Sequence, residues 1–335
     1  MKNEKIDLGL GIGTNTGGGH ESGGSIGQTD NGPNGNTGDG PNPAGGTSKK
    51  TEDKSKKSID KYAIEVKEKD APIVLLFGPT SSGKSMTIVR LARYLRGQGY
   101  EAKPVDDFVR TDEYQKRCRE FEKCIETDHS LDGTPTDNFL LMKVVKNGRV
   151  LCQILEAPGE DFFDVDNPEN VSVGDFKPYL SKLIRNLPNR KIWIFIVEAK
   201  WGVGAQAGKQ IPSSVINAYI KRIGNCKNLL VKRDDNVVIM FNKADKHADM
   251  IFRGGDSLDL ATAERLMKQE YEGLVSYFKN QNPVSSLWRP YNYHFVPFCT
   301  GYYTSSPDPK RMRYEVSEEI YPKLLWSTLE KCFRG

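Results

Sequence analysis

Six short apolar runs recur along the chain, each bounded by polar or turn-forming residues. All are rich in Val, Ile, Leu or Phe, as strands covered on both faces require. The runs are Ile73–Phe77, Phe139–Val145, Val150–Leu155, Ile192–Val197, Val237–Phe241 and Tyr293–Phe298. Asn147-Gly148 joins the second run to the third and is a strong signal for a two-residue hairpin turn. These two runs therefore predict one antiparallel pair.

Stretches with helical spacing alternate with the apolar runs. They are Lys84–Gly97, Asp112–Glu126, Lys177–Asn186, Ser214–Lys227, Leu258–Asn280 and Glu315–Cys332. Buried strands that alternate with helices are typical of a parallel sheet with helices on both faces. We therefore predict an α/β fold, a three-layer sandwich with a mostly parallel sheet and one antiparallel edge strand.

The first 50 residues have a different composition from the rest. They hold 15 of the 32 glycines, together with Asn, Ser, Thr and Pro, and almost no aromatic or branched apolar side chains. Such a stretch cannot bury enough apolar surface to offset the conformational entropy lost on ordering. We predict a disordered Gly/Asn-rich tail over residues 1–50, a charged linker over residues 51–70 and one α/β domain over residues 71–335.

Charge and hydropathy narrow the range of partners. The net charge of +4 is spread without a long block of one sign, which argues against a nucleic-acid partner or an anionic membrane surface. Arg90, Arg93 and Arg96 recur at helical spacing, and we expect them on a solvated helix surface.

The sequence contains no 18-residue apolar run and no signal-peptide segment at its start, so no integral membrane segment is predicted. The six scattered cysteines fit a reducing compartment, and we expect a cytoplasmic protein.

A glycine-rich loop follows the first predicted strand. Residues 78–85 read G-P-T-S-S-G-K-S and match G-x-x-x-x-G-K-[ST], between a strand and a helix. In this motif backbone N–H groups surround the phosphates, the lysine reaches the β- and γ-phosphates, and the hydroxyl binds Mg²⁺. The loop predicts a site for a nucleoside triphosphate and Mg²⁺, with the contacting residues Gly78, Thr80, Ser81, Ser82, Gly83, Lys84, Ser85 and Met86.

A second motif, N-K-A-D, follows the strand Val237–Phe241. The carboxylate of Asp245 can accept two hydrogen bonds, from the N1–H and the exocyclic amine of guanine, and adenine has no matching pair of donors. Asn242 would brace the loop, and the aliphatic stem of Lys243 would cover the base. These residues favour GTP over ATP.

A third motif lies between the other two. The strand Val150–Leu155 is followed by Glu156, and Gly159 comes three residues later. An acid at the end of a strand can reach the metal through water, and the N–H of Gly159 can bond the γ-phosphate and report its presence.

In this order the motifs resemble those of the Ras-like, translation-factor-related P-loop GTPase superfamily, over about residues 72–302. The resemblance implies a P-loop NTPase fold with GTP/GDP and Mg²⁺ as cofactors. It also implies a switch threonine before the hairpin, a ligand of Mg²⁺, for which Thr134 and Thr136 both qualify. The run Pro135–Phe139 resembles the P-T-x-x-F of the Arf family and favours Thr136. A loop behind the guanine should follow Phe298, which points to Cys299 and Thr300.

Two residues depart from the family pattern. The acid of the third motif, normally Asp, is Glu156, whose extra methylene still allows it to reach an outer-sphere metal. The residue after Gly159, often a Gln that orients water, is Glu160, which could act as a base but would also repel the γ-phosphate. With Lys84, Thr136 and Glu160 as catalytic residues, we expect GTP hydrolysis to be slow or to need a group from a partner.

The chain is longer than a minimal small GTPase requires, with 72 residues from Lys84 to Glu156. We predict insertions at about residues 100–130 and 200–235. They resemble the insertions of bacterial GTPases that work inside multi-protein systems. A protein effector or activator is therefore the expected partner.

Three further charged residues have two interpretations each. Arg110 and Arg119 could supply an internal charge to the transition state, as an arginine does in heterotrimeric G-protein alpha subunits, or could be solvated. Glu198 ends the strand Ile192–Val197, and could support the site from behind or be a plain surface acid.

Two other functions compete with a GTPase switch. Glu156 and Glu160 motivate a nucleotide-binding scaffold that does not hydrolyse its ligand. The stretch Gly99–Asp107 could be a second strand ending in acids, as in an ATP-dependent P-loop kinase of small molecules.

Overall fold

The computed structural model describes residues 66–127, 140–169, 184–201, 211–252, 257–305 and 312–334. Seven strands form one sheet in the order β2-β3-β4-β1-β5-β6-β7. Their bounds are β1 Ile73–Phe77, β2 Glu101–Pro104, β3 Leu140–Lys146, β4 Arg149–Glu156, β5 Lys191–Glu198, β6 Asn236–Asn242 and β7 His294–Pro297.

Parallel pairing dominates this sheet. β1 pairs parallel with β4 and β5, and β6 pairs parallel with β5 and β7. β3 pairs antiparallel with both β2 and β4, so it runs against the other six strands. The turn between β3 and β4 has positive φ at Asn147 and Gly148, as a tight hairpin turn demands. The predicted α/β fold with one antiparallel strand near the edge is confirmed, and the short strand β2 lies outside that strand.

Eight α-helices are present among the described residues. They are α1 Lys84–Gly97, α2 Asp112–Glu126, α3 Gly159–Phe162, α4 Ser213–Leu230, α5 Ala248–Ile251, α6 Leu260–Glu270, α7 Pro283–Ser286 and α8 Ile320–Arg334. Two 3-10 helices span Ala244–His247 and Leu274–Phe278. α4 connects the parallel strands β5 and β6 and lies within the stretch predicted as the second insertion.

Two predicted helices differ from the observed elements. The stretch Leu258–Asn280 is not one helix, because α6 ends at Glu270 and the left-handed Gly273 (φ 86°) starts a 3-10 helix. Glu315 belongs to a strand, β9 Met312–Val316, which pairs antiparallel with β8 Gly301–Ser305 in a separate two-stranded sheet. Most of the predicted helix Lys177–Asn186 lies outside the described residues.

The centre of the sheet forms the core. All five residues of β1 and all eight of β5 are buried. Phe77, Trp193 and Phe195 stack on one another with centroids 5.5–6.3 Å apart. Helices therefore cover both faces of the central strands, and the runs of Val, Ile and Phe reflect that double burial.

The last residues of the predicted linker are packed against the domain. Val66 is buried, and the carbonyl of Glu68 accepts hydrogen bonds from Gln153 Nε2 (2.9 Å) and Asn189 Nδ2 (2.7 Å). The packed part of the chain thus begins by Val66, before the boundary at residue 71 that composition indicated.

The arginines of α1 bind other parts of the fold. The prediction that they lie on a solvated surface is wrong for Arg90, which is buried, whereas Arg93 and Arg96 are partly exposed. Arg90 is buried and donates to Ser317 Oγ (3.1 Å) and to the Ser317 carbonyl (2.7 Å). Arg93 donates to the Cys124 carbonyl, and Arg96 donates to the Ala102 carbonyl at 2.7 Å. All three guanidinium groups thus bind backbone carbonyls of neighbouring segments, and those of Arg93 and Arg96 also remain partly exposed to water.

Every helix in the described part of the chain is too short or too polar to span a lipid bilayer.

The Arg90 contact predicts a loss of stability on substitution. Arg90→Met keeps most of the side-chain volume but leaves the buried Ser317 carbonyl without this donor, so we expect a loss of about 2–3 kcal/mol in the free energy of unfolding. Urea unfolding of Arg90→Met and of the control Arg265→Met, whose arginine is exposed on α6, measures the difference. Equal stability of the two variants would contradict the assignment.

Candidate functional site

The predicted motifs meet at one edge of the sheet. β1, β4, β5, β6 and β7 run in the same direction, so the loops that follow them emerge side by side. Leu76 pairs with Glu156, and Glu198 pairs with Asn242. The carboxyl edge of such a sheet is where ligands bind in α/β proteins.

The glycine-rich loop of residues 78–85, called the phosphate loop below for its predicted role, lies between β1 and α1. Ser81 and Gly83 have positive φ, 64° and 86°, and these turns carry the chain round into the first residue of α1. The Lys84 ammonium donates to the carbonyls of Gly78 (3.0 Å) and Pro79 (2.9 Å). The lysine is therefore held across its own loop, over the place where a phosphate would sit.

Lys84 has an altered proton affinity. Burial lowers the pKa of its ammonium to about 8, although the nearby carboxylates of Glu156 and Glu160 act in the opposite direction. A buried cation with a lowered pKa is typical of functional sites.

Two glycines are required by close approach of other groups. A Cβ on Gly83, which also has positive φ, would lie 2.5 Å from Asn242 Nδ2. A Cβ on Gly159 would lie 2.3 Å from the Thr80 backbone N and 2.6 Å from the Pro79 carbonyl carbon. The third motif therefore lies directly against the phosphate loop. A larger residue at Gly159 would require backbone to move, and one at Gly83 would displace the Asn242 side chain and adopt an unfavourable positive φ.

Glu156 is the buried acid at the end of β4. The Ser85 hydroxyl donates to its Oε1 atom, and Arg117 Nη2 lies 3.4 Å from its Oε2 atom. Glu156 and Arg117 are both almost fully buried. The acid predicted to serve the metal thus contacts the predicted metal-binding hydroxyl directly.

Arg117 was missed by the sequence analysis, which named Arg110 and Arg119. Both of those are exposed, and within the described residues it is Arg117 that contacts Glu156. A signal was available in the spacing, because Tyr114, Arg117 and Phe121 share the buried face of α2. An arginine on the apolar face of a helix needs an internal partner.

Glu160 lies at the rim of the phosphate loop. Its Oε2 atom accepts a hydrogen bond from Thr80 Oγ1 at 3.0 Å, and its side chain is partly exposed. The negative charge therefore sits beside the loop that would hold the terminal phosphate.

The N-K-A-D loop is joined to the phosphate loop through Asn242. Its Nδ2 atom donates to the Ser82 carbonyl at 2.7 Å, and both residues are buried. The chain then turns through Lys243 in the left-handed region (φ 56°) into the 3-10 helix that carries Asp245. Asp245 is partly exposed, so its carboxylate is accessible to a ligand.

Cys299 and Thr300 lie beside both of these loops. The Ala244 N–H donates to the Phe298 carbonyl at 3.0 Å, and a Cβ on Gly83 would lie 3.4 Å from Thr300 Cγ2. Burial raises the pKa of the Cys299 thiol, and Asp245, a hydrogen-bond partner of that thiol, raises it further. A thiol that stays protonated can donate to the Asp245 carboxylate.

Glu198 is an internal acid and not a surface one. It is buried, and its two carboxylate oxygens pair with Lys243 (2.7 Å) and Lys246 (3.0 Å). Its backbone exchanges hydrogen bonds with the Tyr271 hydroxyl. The end of β5 thereby holds Lys243 of the N-K-A-D loop and Lys246, the residue that follows this loop.

The structure brings together the predicted residues of the first, third and fourth motifs. Met86 lies in the first turn of α1, and its side chain is part of the hydrophobic core. Thr134 and Thr136 lie outside the described residues, so the choice between them stays a prediction.

The described residues fit a magnesium ion in one respect. Ser85 and Glu156 place a hydroxyl and a carboxylate oxygen together, and hard oxygen ligands suit Mg²⁺. No cluster of three or more His, Cys, Asp or Glu side chains among the described residues is arranged to hold a metal. An ion here would therefore take its other ligands from water and, in a nucleotide complex, from the phosphates, as Mg²⁺ commonly does.

Comparison with known proteins adds little to the geometry. No family model matches the chain, and no curated protein matches it in sequence. A similar solved structure is a protein described as nucleolar GTP-binding protein 1 from Plasmodium falciparum, with 13% identity over 79% of this chain and 88% of that chain and a TM-score of 0.38. A likeness at this level does not identify what the chain binds. The fold class rests on the strand order and pairing described above.

The lowered pKa of Lys84 predicts a pH-dependent stability. Lys84 in the folded protein loses its proton near pH 8, whereas the unfolded chain keeps it up to about 10.5. Between these values the unfolded state binds more protons, so the stability contributed by this residue rises with pH. Urea unfolding of the nucleotide-free protein at about pH 7.5 and about pH 9.5 should show wild type gaining relative to Lys84→Met. A constant difference between the two proteins would contradict the prediction.

Proposed function

We propose that this protein binds guanine nucleotides with Mg²⁺, hydrolyses GTP slowly, and acts as a nucleotide-dependent switch for a protein partner. The observation that carries this proposal is the hydrogen bond from Asn242 to the Ser82 carbonyl. It holds the loop that can read a purine against the loop that can hold phosphates. A nucleotide needs both loops at a fixed separation.

The choice of base rests on Asp245. Its accessible carboxylate can accept from N1–H and the 2-amino group of guanine, whereas adenine presents no such pair. A carboxylate facing adenine would remain without donors, which costs binding energy. The Lys243 stem would cover the base, and Cys299 and Thr300 would line its other side.

The phosphates would lie on the loop Gly78–Ser85, with Lys84 turned from its own loop carbonyls toward the ligand. Mg²⁺ would be held by Ser85 and, through water, by Glu156, with Thr136 as a further candidate. When bound, the ion neutralises charge on the phosphate oxygens. The close packing of Gly159 on Thr80 supports a contact between its N–H and the γ-phosphate.

Slow hydrolysis follows from the position of Glu160. Hydrolysis joins a water oxygen to the γ-phosphorus and breaks the bond to the β-phosphate oxygen. A carboxylate hydrogen-bonded to Thr80 would be a poor neighbour for the incoming phosphate charge. Lys84 offsets part of this charge, and a group from an activator would be required for fast turnover.

The two alternatives make different demands on the same site. A non-hydrolysing scaffold would bind the same nucleotides and show no turnover. An ATP-dependent kinase is disfavoured by the N-K-A-D loop and by the place of β2, which β3 and β4 separate from β1. The acids that follow β2 are therefore far from the phosphate loop in strand order.

A switch requires segments that differ between the triphosphate and diphosphate forms. The candidates are residues 134–139 and 156–163, of which the first lies outside the described residues. Glu156–Phe163 contacts the phosphate loop through Gly159 and Glu160. A protein effector that binds this segment would respond to the presence of the γ-phosphate. The compartment in which we expect the protein to act is the cytoplasm.

The base assignment predicts a change of specificity in Asp245→Asn. An amide in this place donates where the carboxylate accepted, so it should favour xanthine, which has a carbonyl at C2, over guanine. Calorimetry with Mg²⁺ should show wild type binding GDP roughly a hundredfold or more tighter than ADP, and Asp245→Asn preferring xanthosine diphosphate. The control Asp249→Asn alters an exposed acid on α5 and should leave the preference unchanged. Wild-type protein that binds neither guanine nucleotide would remove the basis of the proposal.

Glu160 predicts an unusual gain of activity. Glu160→Gln removes a negative charge beside the phosphate and supplies an amide that can orient water, so we expect single-turnover GTP hydrolysis to rise about tenfold. The matched control is Glu169→Gln, at an exposed acid. A slower variant would mean that Glu160 acts as a base, and no turnover in either protein would favour the scaffold.

A further inference from the structure

Glu156 carries a negative charge in a place that water hardly reaches. It is 1% exposed at the end of β4. An isolated carboxylate in such a position is very costly to bury unless it is paired. Arg117 lies 3.4 Å from Oε2, and its own side chain is 7% exposed, so the two charges compensate each other inside the protein.

Arg117 is held in place by the packing of its helix. Phe121 is fully buried one turn further along α2. The Tyr114 hydroxyl donates to the Val105 carbonyl (2.9 Å) and accepts from the Leu141 N–H (3.2 Å), which fastens α2 to β3. Thr111 caps the start of the helix by accepting from the Tyr114 N–H. These contacts fix the position of α2, from which the buried Arg117 side chain reaches Glu156.

The same carboxylate is the group expected to serve Mg²⁺, because its other oxygen accepts from the Ser85 hydroxyl. A divalent ion beside Ser85 would share Glu156 with a fixed positive charge. Two cations on one carboxylate repel each other, and the repulsion is strong where water is excluded. Arg117 would thus weaken the binding of Mg²⁺ at Glu156, while its own positive charge would lie near the phosphates.

We propose that Arg117 is a resident counter-cation of Glu156, which balances the site without Mg²⁺ and makes nucleotide binding less dependent on the metal. The inference rests on the proposed guanine-nucleotide site and assigns Arg117 a positioning and charge-balancing role. It also accounts for a Glu at position 156 where the family pattern has Asp, since the longer side chain extends between Ser85 and Arg117 on α2.

The main experiment measures how much Mg²⁺ improves nucleotide affinity. The dissociation constant for GDP is measured by calorimetry in excess Mg²⁺ and in chelator. The value in chelator divided by the value in Mg²⁺ is then compared between proteins. We expect the ratio in Arg117→Gln to be at least about tenfold larger than in wild type. In this variant Mg²⁺ does not compete with an arginine for Glu156, and in chelator no cation takes the place of Arg117 beside Glu156. The matched control is Lys116→Gln, which removes an exposed charge from the same helix. An unchanged ratio in Arg117→Gln would overturn the proposal.

A second measurement separates this inference from the nucleotide proposal. Thermal unfolding of nucleotide-free protein with and without Mg²⁺ needs no nucleotide, and an ion that binds the folded state raises Tm. Arg117→Gln should gain a larger shift from Mg²⁺ than wild type or Lys116→Gln, even if GDP does not bind. Equal shifts would count against a counter-cation role, while absent GDP binding alone would count against the proposed function.

Glu156→Asp provides a variant in case Arg117→Gln does not fold. The shorter side chain keeps the charge but withdraws from Arg117, so its Mg²⁺ dependence should rise in the same direction. A folded Glu156→Asp protein with the wild-type ratio and the wild-type Tm shift would overturn the proposal independently.

Discussion

Parallel pairing of β1 with β4 on one side and with β5 on the other determines where every group of the candidate site lies. The register places Leu76 opposite Glu156 and Phe77 opposite Phe195, so β4 ends one residue before β1 and β5 continues three residues beyond it. Because the pairing is parallel, the loops after these strands leave the sheet in the same direction. The three loops predicted to bind phosphate, metal and purine are thereby brought together from segments distant in sequence.

The second constraint is that buried charged groups need partners, and in this protein other residues of the chain supply them. Glu156 is paired with Arg117, and Glu198 is shared between Lys243 and Lys246. Lys84 donates to two carbonyls of its own loop. Each compensation fixes a side chain that a nucleotide would contact or approach, so the site is largely formed before any ligand arrives. Preorganised groups of this kind reduce the entropy lost on binding.

Local sequence signals were sufficient for the elements that follow a simple period. The bounds of β1, α1 and α2 agree with the pattern of apolar positions, because strands buried on both faces and helices with one apolar stripe leave clear traces. The pattern failed at Leu258–Asn280, where the left-handed Gly273 interrupts a helical spacing. It also failed at β8 and β9, a small hairpin outside the main sheet that the apolar periodicity did not reveal.

The amino-acid sequence by itself determined the strand, loop and helix of the predicted phosphate site and the order of its motifs, since those depend on neighbouring residues and on glycines at fixed places. Only the tertiary structure decided which charged side chains meet there. Arg90 reaches Ser317, and Arg117 reaches Glu156, across 227 and 39 residues of chain. Spacing along one helix says which face a residue occupies but not what packs against that face, and partners so far apart are chosen by the folding of the whole sheet.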